Sequence, residues 1–75
     1  TELRVGSVGT PRATLDVDGD LITNDLILSN IDRKEGPNEV DGTRGHWCIQ
    51  EGEDDLFIIN RMNGKKFKFN LTEIN

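Results

Sequence analysis

The 75-residue chain holds one cysteine, one histidine, one tryptophan, two prolines and no tyrosine. A lone Cys48 cannot close an intrachain disulfide. His46 and Cys48 are the only residues of their kinds, so no Cys/His cluster offers a structural zinc site, and no cofactor is expected. Ser7 and Ser29 are the only serines. Neither sits in a Gly-x-Ser-x-Gly elbow, and His46 has no triad context, so nucleophilic catalysis is not expected. Cys48, between Trp47 and Ile49, reads as a packed small thiol rather than a nucleophile. Long apolar runs are missing too. The longest, Leu56 to Ile59, falls far short of the roughly 20 residues that span a bilayer as a helix. Basic charge is in deficit: the net charge is -5. That disfavours a duplex nucleic-acid partner, which selects a basic face, and also an anionic membrane surface.

These absences sharpen a problem of size. A chain this short buries only about 60% of its unfolded surface, which leaves it marginal as a monomer. Small domains compensate with disulfides, metals or oligomerisation. With the first two lacking a residue basis, oligomerisation is the expected remedy.

What is present reads as β-structure. In Pro11–Leu28, Leu15, Val17 and Leu21 share one parity, with Gly19 between them, and Asp16, Asp18 and Asp20 hold the other. Alternate residues of a strand face opposite ways, so this predicts an apolar face backed by carboxylates. The parity then flips, with Ile22, Leu26 and Leu28 on even positions, and a bulge or turn at Thr23-Asn24-Asp25 is expected. Upstream, Leu3 and Val5 alternate with Glu2 and Arg4 as a short strand, and Thr10-Pro11 turns the chain.

Residues 29–45 are polar and rich in turn formers, including Gly36-Pro37-Asn38 and Asp41-Gly42. They predict a long loop, either a surface connector or a segment reaching a receptor or neighbouring subunit. Residues 46–75 predict a three-stranded antiparallel meander. Trp47 and Ile49 lie on its first strand, and Glu51 to Asp55 make the first turn. Leu56 to Ile59, apolar on both faces, forms the middle strand. Asn63-Gly64 closes the second turn, as both residues tolerate positive φ. Phe67, Phe69 and Leu71 then point inward, with Lys66, Lys68 and Asn70 outward. The third strand covers only one face of the middle one, so the first half of the chain or a partner subunit is expected on the other.

The segment Gly6-Ser-Val-Gly9-Thr-Pro11-Arg-Ala13-Thr-Leu15-Asp-Val17-Asp-Gly19-Asp-Leu21 resembles a segment of bacteriophage tail fibres and related trimeric surface proteins. Leu21 stands where that family usually has Ile. The Ser and Lys motif of the family's self-cleaving chaperone domain is not visible, so self-cleavage is not implied. The resemblance implies an all-β fold of short strands in an intertwined homotrimer. It also implies a non-enzymatic structural role on the virion and, through it, contact with a host-surface glycan or protein. A chain opening on Thr1 is expected to be a piece of a longer protein. Joined to the apolar pattern, the resemblance makes Leu15, Val17, Leu21, Leu26, Leu28, Trp47, Ile58, Phe67, Phe69 and Leu71 the candidate core and trimer-interface residues.

Other chemistries have partial signals in the residues. Asp16-x-Asp18-x-Asp20 starts like a calcium loop, but Leu21 stands where a turn glycine belongs and Ile27 where a bidentate acid belongs. The abundant acids invite a glycan-cleaving site at a trimer seam, yet hydrolysis needs two carboxylates at a set separation. A monomeric carbohydrate-binding module would present Trp47 as a stacking platform. Arg61, Lys65, Lys66 and Lys68 form a basic patch for which cross-strand pairing with Glu51, Glu53 or Asp54 is the simpler expectation.

Overall fold

In a computed structural model, residues 3–5 and 13–75 are described. The described residues form strands, turns and irregular segments without a helix, so among them no helix is long and apolar enough to cross a membrane. β1 (Leu3–Val5) pairs in parallel with β2 (Leu15–Val17), Leu3 opposite Leu15 and Val5 opposite Val17. β3 (Asp25–Ser29), β4 (His46–Glu51), β5 (Leu56–Asn60) and β6 (Lys66–Lys68) follow in sequence order as a four-stranded antiparallel meander. The two sheets do not pack on each other among the described residues.

The meander is therefore one strand larger than the sequence pattern predicts. β3 pairs along its whole length with β4, Leu26 opposite Ile49 and Leu28 opposite Trp47. The central stretch is not one bulged strand but two strands in two sheets. Gly19 takes φ +148°, a value side chains rarely tolerate, and the strand stops before it. Leu21 and Ile22 then lie in an irregular segment, 63% and 97% exposed. The expected turn at Thr10-Pro11 lies outside the described residues, as does the resemblance segment before Ala13.

The two hairpin turns fall where the sequence places them. Glu51 ends β4 and Leu56 begins β5, with the Gly52 N–H donating to the Asp55 carbonyl at 2.7 Å. At the second turn the Asn60 N–H donates to Lys65 O at 2.9 Å, and the Gly64 N–H donates to Asn60 O at 2.7 Å. Only Gly64, at φ +77°, is left-handed there; Asn63 is not. Its side chain instead accepts the Lys65 N–H at 2.9 Å. The loop is thus five residues closed by one left-handed glycine, not a two-residue turn with positive φ at both positions. β6 is shorter than expected, ending at Lys68. Phe69 still donates its N–H to Leu56 O at 3.0 Å, but Leu71 lies beyond the sheet and is 69% exposed rather than inward.

Directly opposed residues share a face of a sheet. One face therefore carries Ile27, Cys48, Phe57 and Ile59 at its centre, ringed by Asp25, Ser29, His46, Gln50, Lys66 and Lys68. Cys48 is fully buried as a free thiol, and Ile59, opposite it, is 9% exposed. They are the only buried hydrophobic residues among those described. A small thiol between taller neighbours is screened by its own sheet, which is how one layer buries anything.

Gly64 tests the turn. Gly64→Ala forces a Cβ into the left-handed region, at a cost of about 1 kcal/mol. For a domain of this size Tm falls by about 4–8 °C, read by circular dichroism.

Candidate functional site

The opposite face of the four-stranded sheet is built by the other parity. Leu26, Leu28, Trp47, Ile49, Leu56, Ile58 and Phe67 all lie on it, and its polar members, Glu51 and Asn60, sit at the row ends. Alternation dictates this: each strand places its apolar residues at every second position and the register aligns them. The face stays open. Leu26 is 44% exposed, Leu28 52% and Phe67 48%, while Trp47, Ile49 and Ile58 are half-buried. The Trp47 and Phe67 rings meet across it at a centroid distance of 6.1 Å, tilted by 34°, within the range at which aromatic pairs attract.

Five of the candidate residues come together here: Leu26, Leu28, Trp47, Ile58 and Phe67. Phe69 is half-buried just past β6. Leu15 and Val17 sit in the small parallel sheet, Leu15 half exposed and Val17 half-buried. Leu21 and Leu71 join neither sheet. Ile49 and Leu56 belong to the face and are absent from the sequence-derived set. The parity of Trp47 and Ile58, carried one step along each strand, finds them.

The loop from residue 30 to 45 stands beside this face, tied down by its own polar groups. Asn30 closes the base: its N–H donates to Gly45 O at 3.2 Å, and its Oδ1 accepts the Gly45 N–H at 2.7 Å. Arg44 Nη1 donates to the carbonyls of Asn30 at 2.7 Å and Arg33 at 3.1 Å. Farther out, Asn38 organises a tight turn. Its Oδ1 accepts the N–H groups of Val40 at 2.8 Å and Asp41 at 2.9 Å. Its Nδ2 donates to Asp41 Oδ1 at 2.7 Å and to Thr43 O at 2.9 Å. Asn and Asp suit such turns because their short side chains reach nearby backbone groups. The Thr43 hydroxyl, the Asn38 amide and the Thr43 N–H, in that order of effect, hold the Asp41 carboxyl below its ordinary value.

Between this loop and the Trp47 end of the sheet lies an open cleft of about 610 Å³. Leu28, Trp47 and Met62 form its apolar side; Asn38, Asp41, Arg44 and Asn60 form its polar side. Gly45 is part of the wall, and a Cβ there would stand 3.3 Å from Trp47 Nε1. Most of the polar groups serve the loop itself, as the hydrogen bonds above record. His46 lies on the opposite face, opposed to Ser29. That juxtaposition was not visible in the sequence. The Ser29 Oγ accepts the Ile31 N–H at 3.4 Å. Among the described residues no group of three His, Cys, Asp or Glu side chains gathers to hold a cation. Lys66 and Lys68 stand opposite Ile59 and Phe57, not opposite Glu51, Glu53 or Asp54 as expected.

Comparison with protein-family models, with curated proteins and with solved structures finds no match.

The Asp41 arrangement fixes a pH response. Its folded pKa lies below the unfolded value, near 3.8, so its contribution is present above that value and is lost as pH falls through the lower folded one. Protection of the Thr43 amide against exchange, taken relative to the intrinsic rate at each pH, is expected to hold at neutral pH and to be lost only in acid below 3.8. Asp41→Ala is expected to lose that protection already at neutral pH.

Proposed function

We propose that the chain is a non-enzymatic structural module of the tail-fibre type, a virion-surface component that acts as a homotrimer and carries or contributes to host attachment. The observation that supports this best is the open apolar sheet face of Leu26, Leu28, Trp47, Ile49, Leu56, Ile58 and Phe67. Contiguous apolar surface of this kind marks an interaction site in a soluble protein. The described residues do not cover it: the small parallel sheet makes no contact with the four-stranded one, and the only buried hydrophobic residues among those described are Cys48 and Ile59, on the other face. So small a core gives little of the stability a folded domain needs, and burying the open face between copies supplies the rest. The resemblance of Gly6–Leu21 to trimeric fibre proteins favours three copies and a virion setting.

A carbohydrate-binding module using Trp47 has one observation in its favour, the cleft beside the ring. It is the weaker reading, since the Trp47 ring is engaged by Phe67 and the Asn38 amide and Arg44 Nη1 are spent on the loop.

Leu28→Asp and Phe67→Asp test the proposal. Both side chains are about half exposed in the single chain, so a carboxylate at either position is tolerated by the isolated sheet but not by a buried interface. Each variant is expected to lose assembly, read by light scattering, and with it thermal stability, read by circular dichroism. A fully assembled Leu28→Asp variant contradicts the placement.

A further inference from the structure

The four-stranded sheet ends on two edges of opposite character. β3, residues Asp25–Ser29, is an edge strand of five residues, with Leu26, Ile27 and Leu28 each about half exposed. β6, the other edge, is three residues long and carries Lys66 and Lys68. An apolar edge strand is a template for pairing with another chain, and lysines restrict which chain is accepted.

The ladder settles which backbone groups each edge presents. Asn30 bonds to Gly45, and antiparallel bonding alternates, so Leu28 and Leu26 face β4 and Ser29, Ile27 and Asp25 face outward. Lys65 and Phe69 bond to β5, so Lys66 and Lys68 face outward. The outward residues of both edges lie on the same face, the one that carries Cys48 and Ile59.

We infer that the β3 edge of one copy pairs antiparallel with the β6 edge of the next, Asp25 opposite Lys68 and Ile27 opposite Lys66. This rests on the homo-oligomeric reading above and specifies its contact. The up-down order of the meander continues across the junction, because β3 and β6 run in opposite directions. Charge selects the register and the partner. Asp25, which accepts Gln50 Nε2 at 3.4 Å, meets an ammonium at Lys68. β6 against β6 would set lysine beside lysine, which is unfavourable. Ile27 enters an apolar trough of about 370 Å³ lined by Phe57, Ile59, Lys66, Phe67 and Lys68. On the other face Leu26 falls opposite Phe67, so the apolar surface runs unbroken from copy to copy. A head-to-tail contact of this kind closes when the rotation closes. Three copies that close in this way leave no free edge on the four-stranded sheets.

Asp25→Cys with Lys68→Cys in one chain tests the contact. Within one sheet these positions are three strand spacings apart, about 14 Å, too far for a disulfide. Any bond between them therefore joins two chains. Wild type, with Cys48 fully buried, is the control. Oxidation is expected to give covalent dimers and trimers on a non-reducing gel, with neither single variant doing so. An assembled protein that forms no interchain disulfide overturns the edge contact and leaves the oligomer standing. Cross-linking by Asp25→Cys alone means β3 against β3 and overturns it too. A wild type that is monomeric at every concentration overturns both. As a second measure, Asp25→Lys is expected to weaken association about fivefold per interface, and Asp25→Lys with Lys68→Asp to restore it. Unchanged association in the single variant, or none regained in the double, contradicts the pairing.

Discussion

Cys48 and Ile59, opposed across β4 and β5, form the contact on which the rest of the sheet depends. They sit on the two central strands, and they hold what is buried in the described chain. A single sheet can hide only what its own neighbouring side chains cover. Here those neighbours are Ile27, Phe57, Gln50 and His46. The device works on one face because that face has a polar ring around a small apolar centre. The other face is apolar nearly throughout, and no arrangement of its own side chains can shield it from water. Hydrophobic burial is the dominant favourable term in folding, and among the described residues most of the apolar surface of the sheet stays open.

The long loop adds order of a different kind. Asn38, Asp41 and Thr43 make a turn from side-chain and backbone polar groups, and Asn30 and Arg44 pin its base to the end of the sheet. Those bonds fix Gly45 against Trp47, which in turn meets Phe67. The loop thus sets the position of the largest side chain on the open face. Val40, at the loop's outer turn, is 91% exposed. With its base fixed, the loop presents a constant outline beside the apolar face.

The strand pattern was legible wherever period-two alternation met strong turn formers. Trp47–Ile49, Leu56–Ile59 and Lys66–Lys68 are strands, separated by the acidic turn and the Asn63-Gly64 turn. The pairing of β3 with β4 was not legible, since 16 residues of loop separate the two strands and nothing in Asp25–Ser29 names its partner. Gly19 misled the reading of Leu15–Leu28 as one element, because a backbone angle that ends a strand leaves no mark on hydrophobic parity. The open face was half legible. Alternation gives Leu26, Leu28, Trp47, Ile58 and Phe67, but that Leu21 and Leu71 fall outside the sheet depends on where pairing stops. The loop's hydrogen-bonded turn was readable only as a cluster of turn formers, since composition does not say which acceptor a given amide reaches.

The mass of the wild-type chain in solution, by light scattering behind a sizing column over a dilution series, decides whether the open face is buried between copies. A species of three chain masses, each 8.4 kDa, that dissociates only on dilution is expected. A mass of one chain at every concentration would contradict it.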